Sequence, residues 1–225
     1  MNSLYRRSFI GLLILFLVMA SLAFAGAGTF RYWQAWSFLA IYFAAASAMT
    51  VYLIRHDPAL AARRMSGGPW AEREPAQQII MSLASVGFIG LIIVPAIDHR
   101  FAWSELPLHA VLIGNGLVLL GWLGVFFVFR ENSFSSATIE VSADQRVIST
   151  GPYALVRHPM YAAGLVMLFG MPIALGSAWG VLVVIAIVPA LVWRLVNEEN
   201  FLVRNLPGYR AYRDGVRYRL VPLIW

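Results

Sequence analysis

Gly151-Pro152-Tyr153-Ala154-Leu155-Val156-Arg157-His158-Pro159-Met160-Tyr161 is a polar, proline-punctuated stretch set between long apolar runs. Two prolines, two tyrosines, an arginine and one of four histidines are more than a plain connector between membrane helices needs. His158-Pro159 reads as a helix start, because proline at the first helical position gives up an N–H that has no partner there anyway. His158 then lies near the positive end of the helix dipole, which favours a neutral imidazole and any bound anion, such as a carboxylate. The competing reading is a helix cap with an interfacial tyrosine belt.

The surrounding chain is 225 residues long, 60% apolar and only 12% charged. Soluble domains carry about 25% charged residues. The apolar residues arrive in blocks long enough to cross a hydrocarbon core of about 30 Å at about 1.5 Å per residue. The first runs from Phe9 to about Gly28, behind Arg6-Arg7. Ala23-Phe24-Ala25 imitates a signal-peptide cleavage site, but further spans follow at once and a retained helix is the better reading. The next runs are Ala35 to Ile54, Ile79 to Ile97 and His109 to Phe129. Between the second and third lies a polar connector, with Arg63-Arg64, Gly67-Gly68-Pro69 and Glu72-Arg73-Glu74-Pro75; Asp57-Pro58 is placed to start a short surface helix. After the polar segment come two shorter runs, Met160 to Leu175 and Ala178 to Leu195, split by Gly176-Ser177.

The expectation is an all-α, polytopic transmembrane helical bundle of about six membrane segments, the last two forming a short helical hairpin. Residues 1–129 would form a four-span bundle. Residues 130–225 would form a cofactor-binding region of loop, hairpin and tail, integrated with the first part into one domain.

All 17 basic residues are arginine. With the N-terminus in the cytoplasm, fourteen fall on the cytoplasmic side and only Arg31 and Arg100 on the other, a strong positive-inside bias. The stretch 151–161 and the arginine-rich tail then share the cytoplasmic face. The net charge of +6 belongs to such loops, and no basic–aromatic face points to nucleic acid. The absence of cysteine excludes disulfides, thiolate metal sites and cysteine nucleophiles. His56, His99 and His109 lie at span edges without ligand spacing, so no metal site is expected. Gly114-Asn115-Gly116 lacks the βαβ context of a dinucleotide fingerprint and reads as close helix packing.

Arg194 and Glu198 are four residues apart and share a helix face. Either they pair, in the weaker orientation, or they serve a ligand: the carboxylate suits an ammonium group and the arginine an anion. Ionisable groups at membrane depth cost roughly 2.5–3.5 kcal/mol each on insertion and favour a functional role. Asn132-Ser133-Phe134-Ser135-Ser136 opens the polar segment, and Thr138 to Ile148 reads as a turn between two short extended pieces whose backbone suits a flat ring such as adenine. In the tail, Tyr209, Arg210, Tyr212, Arg213, Arg217, Tyr218 and Arg219 suit an anionic-lipid anchor or a cover over a cofactor.

Gly151-Pro152-Tyr153, Arg157-His158-Pro159-Met160-Tyr161, Arg194, Glu198-Glu199, Leu202, Gly208-Tyr209 and Tyr212, taken together, resemble the isoprenylcysteine carboxyl methyltransferase family, which is related to membrane phospholipid N-methyltransferases. The resemblance covers roughly Asn132 to Trp225 and departs at Asn197-Glu198-Glu199-Asn200, where the eukaryotic prenylcysteine enzymes carry a longer acidic run. It implies S-adenosyl-L-methionine as the methyl donor. Gln145, Arg146, Val147 and Ile148 would follow its adenosine part, with Tyr153 beside them. His158, Pro159, Met160 and Tyr161 would receive the methionine end, and Glu198 its ammonium group. Arg194 would hold the carboxylate of the methyl acceptor, and Asn132 would line the acceptor side. The implied partners are a lipid or prenylated small-molecule substrate and the membrane lipids, with no nucleic acid and no metal. The implied reaction is carboxyl O-methylation of an isoprenylcysteine-like substrate. N-methylation of a phospholipid is the second reading, and a nicotinamide-dependent (NADPH) membrane reductase or a non-catalytic membrane protein is the third.

Overall fold

The computed structural model describes residues 2–65, 69–72, 74–139, 141–142 and 144–225. Gly67-Gly68 and Arg73, part of the polar connector, lie outside the described residues. The described residues form helices and no strand. Their long helices are α1 (Asn2–Ala27), α2 (Trp33–His56), α4 (Pro75–Phe101), α5 (Leu108–Glu131), α6 (Pro159–Ala174) and α7 (Trp179–Asn205). Short surface helices α3 (Pro58–Met65) and α8 (Tyr209–Gly215) and 3-10 turns at Pro69–Ala71 and Gly151–Ala154 complete the set. Five helices are long and apolar enough to cross a membrane, so the chain is a multi-pass membrane protein; α6, at 16 residues, is the short one.

The boundaries follow local chemistry. Asp57 Oδ1 accepts from the Leu60 N–H at 2.9 Å, starting α3 at Pro58. Prolines stand at the starts of α4 and α6, where the missing N–H is tolerated. Gly176, at φ +78°, turns the chain between α6 and α7, a conformation that glycine adopts without a Cβ clash. Ser177 Oγ then accepts from the Gly180 N–H at 3.0 Å in the first turn of α7.

The hairpin differs from the expected pair of short runs. Helix α7 continues ten residues past Leu195 to Asn205. The continuous apolar run ends at Leu195, but Glu198, Glu199, Leu202 and Arg204 beyond it are good helix formers, and the buried one, Glu199, finds cationic partners. At about 1.5 Å per residue its 27 residues reach about 40 Å, enough to cross and project beyond the core.

Helices α5 and α6 make the closest approach. A Cβ on Gly114 would stand 2.2 Å from the Ala174 nitrogen, and one on Gly121 2.5 Å from the Met167 Cβ. Gly116 meets nothing within 4 Å, so only the first glycine of Gly114-Asn115-Gly116 serves packing. At the end of the bundle far from the stretch 151–161, Tyr32 Oη donates to the Leu175 carbonyl at 2.6 Å. Buried Asp98 accepts from Ser104 Oγ and Ser177 Oγ, both at 2.5 Å, tying the end of α4 to the α6–α7 turn. His99, read as interfacial, stacks on Tyr32 with ring centroids 4.0 Å apart.

Candidate functional site

The stretch 151–161 is held from three sides. Gly151 takes φ +56°, and its missing Cβ leaves room for the Glu131 carboxyl, whose Oε1 accepts from the Thr150 hydroxyl. The N–H groups of Arg157 and His158 donate to the carbonyls of Tyr218 and Arg219, both at 2.9 Å, so the tail runs alongside as a two-bond ladder. Arg157 Nη1 donates to the carbonyls of Arg213, Val216 and Arg217 at 3.3, 2.9 and 3.1 Å. Its other nitrogen lies 3.4 Å from Glu199 Oε1.

Glu199 is the hub of this region. It is 4% exposed, and it also lies 3.0 Å from Arg219 Nε and 3.4 Å from His158 Nε2. Three basic groups from the stretch and the tail thus converge on one carboxylate of α7. Burying a carboxylate is tolerable only with such compensation.

Behind this scaffold lies a cavity of about 360 Å³, within the range of about 300–1,000 Å³ common for small-molecule sites. Every residue the sequence assigned to the site lines it: Arg194 and Asn132; Gln145, Arg146, Val147 and Ile148; Tyr153; His158, Pro159, Met160 and Tyr161; and Glu198. Its walls come from the 132–148 loop, the 3-10 turn, the first turn of α6, the C-terminal half of α7, Arg64 of α3, Met81 and Ala84 of α4, and Tyr209 and Tyr212 of α8.

The pairing inside the cavity differs from the simplest reading of the spacing. Arg194 does not pair with Glu198. Its Nη2 bonds Glu72 Oε1 at 2.7 Å and the Ala137 carbonyl at 3.1 Å, and its Nη1 bonds Gln77 Oε1 at 3.0 Å. Glu198 instead accepts from the Tyr161 hydroxyl at 2.5 Å. Asn132 uses both ends of its amide within the protein: Nδ2 donates to Tyr153 Oη at 2.8 Å and Oδ1 accepts from the Phe134 N–H at 2.9 Å. Asn132 therefore sets the position of Tyr153. Burial pushes the Tyr153 phenol up to about 12, against the opposing effect of the Asn132 bond, so it keeps its proton as a donor. Burial likewise raises Tyr209 and Tyr212. In the 132–148 loop, a turn does form where expected, with the Gln145 N–H donating to the Ser142 carbonyl at 3.0 Å, but the flanking described residues are not strands.

Sequence reasoning missed Glu72, Gln77, Glu199 and Arg64. Glu72 and Gln77 are 5% and 2% exposed yet sit beside a connector whose composition reads as solvated. Glu199 stood next to Glu198 without a separate role. Arg64, from α3, lines the cavity although its only visible signal was a place in a basic pair.

Fold and site together define a multi-pass helical membrane protein with a polar cavity where a surface stretch, a loop and the last long helix meet. Residues 109–207 match the phospholipid methyltransferase family, the family shared with isoprenylcysteine carboxyl methyltransferases, which bears out the resemblance read from the sequence. Among curated proteins, the chain is 24% identical over 126 residues to the nickel-cobalt-cadmium resistance protein NccN of Alcaligenes xylosoxydans xylosoxydans, covering 55% of this chain and 56% of the relative. It is 30% identical over 98 residues to the cobalt-zinc-cadmium resistance protein CzcN of Cupriavidus metallidurans, covering 43% and 45%. The chain spans about half the length of the curated relatives it matches.

Proposed function

We propose that this chain is an integral membrane methyltransferase that uses S-adenosylmethionine and acts on a lipophilic acceptor, with its cavity open to the cytoplasm. The observation that carries this reading is the match of residues 109–207 to phospholipid methyltransferases, over the same segment that supplies most of the cavity wall. Within that class we favour carboxyl O-methylation of an isoprenylcysteine-like acceptor, with N-methylation of a phospholipid amine as the alternative.

The residues present fit the donor. Glu198 makes no ion pair among the described residues and offers its carboxylate to an ammonium group, with the Tyr161 hydroxyl fixing its orientation. Val147, Tyr153, Leu206, Tyr209 and Tyr212 pack as one apolar and aromatic cluster on which a purine face can rest. His158 and Pro159 open α6, leaving N–H groups of its first turn near the cavity. When bound, S-adenosylmethionine supplies a methyl group on a positively charged sulfur.

The protein's part is then to hold, orient and exclude water. An acceptor carboxylate already carries its nucleophilic electron pair, so no base is required. Arg194, fixed by Glu72, Gln77 and the Ala137 carbonyl, would present its remaining N–H groups to the acceptor. Met81 and Ala84 of α4 and Leu191 of α7 line the apolar side of the cavity, where a lipid chain would lie. The two relatives' names concern metal resistance. Among the described residues no group of three or more His, Cys, Asp or Glu is gathered to hold a metal ion.

Calorimetric titration of purified protein with S-adenosylmethionine and, separately, NADPH tests the proposal. Heat with the methyl donor alone is expected, and it should be lost in Glu198→Ala. No heat with the donor, or heat with NADPH alone, would sink it.

A further inference from the structure

The cavity's charged groups divide into those already compensated and those not. Arg194 is paired with Glu72, and Arg157 with Glu199. His158 also faces Glu199. Arg146 is exposed to solvent. Arg64 stands apart. Its guanidinium lines the cavity, donates Nη1 to the Ser136 carbonyl at 2.7 Å and lies over the Phe129 ring at 5.2 Å. No described carboxylate lies within ion-pair distance of it. Partial burial lowers its pKa from the usual arginine value. Five N–H donors on a planar fork match a carboxylate, and a half-buried cation with no described carboxylate in ion-pair contact favours an anionic ligand.

Glu198 is the complement. It lines the same cavity, accepts from Tyr161 and has no cation within ion-pair distance among the described residues. It is close enough to Arg64 for the two to interact electrostatically, yet they do not join. A separated acid and base facing one cavity suit a ligand that carries an ammonium and a carboxylate.

We propose that Arg64, on the short helix α3, is a second anion-binding residue of this cavity and receives a ligand carboxylate, beside Arg194, whose charge Glu72 already balances. This rests on the methyltransferase reading and deepens it. Two ligand carboxylates qualify by chemistry: that of the donor's methionine end and that of the acceptor.

The test uses the full chain, wild type and Arg64→Met, with Arg64→Lys as the variant that keeps the charge. Titration with S-adenosylmethionine is compared with its decarboxylated analogue, and KM is measured for N-acetyl-S-farnesyl-cysteine as acceptor. If Arg64 holds the donor, wild type prefers the intact donor by roughly ten- to hundredfold, and Arg64→Met erases that preference. If it holds the acceptor, donor affinity is unchanged and the acceptor KM rises by a similar factor, with partial rescue in Arg64→Lys. Either result supports the assignment. A preference and a KM both unmoved in Arg64→Met overturn it while leaving the methyltransferase reading intact. Should Arg64→Met fail to fold, Arg64→Lys, which loses the fork, carries the same two comparisons. No heat from either donor compound in wild type overturns the donor reading and this inference with it.

Discussion

Glu198 and Glu199 are neighbours with opposite tasks. Glu199 gathers Arg157, Arg219 and His158 at 3.0–3.4 Å and binds the tail to the stretch 151–161. Removing one partner of a buried ionic group costs about 3–5 kcal/mol because the others stay buried and uncompensated. Glu199→Gln should therefore lower the thermal midpoint of the purified protein by several degrees and expose the tail to protease. Glu198→Gln should leave that midpoint within about a degree, since surface or cavity changes that break no buried pair cost less than about 0.5 kcal/mol. It should instead weaken donor binding by about tenfold or more. Equal effects of the two variants on stability would contradict this division. Glu72→Gln forms a third case. With Arg194 left less firmly held, the methyl-transfer rate should fall more than donor affinity does; a loss of donor affinity alone would argue that Glu72 acts on the donor side.

At the scale of elements, the α5–α6 crossing depends on absent side chains. Gly114→Leu would drive a side chain into the Ala174 backbone, whereas Gly116 faces open space. We expect Gly114→Leu to prevent recovery of folded protein, or to destabilise it by about 1–3 kcal/mol or more, and Gly116→Ala to be nearly silent in the same thermal-unfolding assay. The helices themselves were legible. Apolar runs mark α2, α4 and α5 to within four residues, because lipid demands a continuous apolar surface on a hydrogen-bonded helix, whereas α1 begins at Asn2, seven residues before its apolar run at Phe9. The end of α7 was not legible, because its last ten residues mix polar and apolar side chains and the buried one, Glu199, is held by tertiary ion pairs. The cavity lining in the C-terminal half was legible through the family resemblance, whose matching residues cluster in two short stretches and a loop. Arg64, Glu72 and Gln77 were not. Glu72 and Arg194 stand 122 positions apart, and no local pattern announces a contact at that separation.

For the whole molecule, the arginine bias predicts that the cavity end faces the cytoplasm. The chain has no cysteine, so single introduced cysteines report on orientation without background. Ser142→Cys, in the cavity loop, should react with a membrane-impermeant maleimide only in inside-out vesicles. Thr29→Cys, at the opposite end, should react only in right-side-out ones. The reverse pattern would turn the bundle over and put the cavity out of reach of a cytoplasmic donor. The central claim is that donor and lipophilic acceptor meet in the cavity between the stretch 151–161 and α7. The most direct measurement is transfer of a radiolabelled methyl group from S-adenosylmethionine to a membrane lipid extract by the purified chain. The account predicts label in the organic phase, released by mild base as expected for an ester, and lowered about tenfold or more in Glu198→Gln at donor concentrations below the wild-type Kd. Label undiminished in Glu198→Gln at such donor concentrations, or no label with an active control enzyme in the same extract, would contradict it.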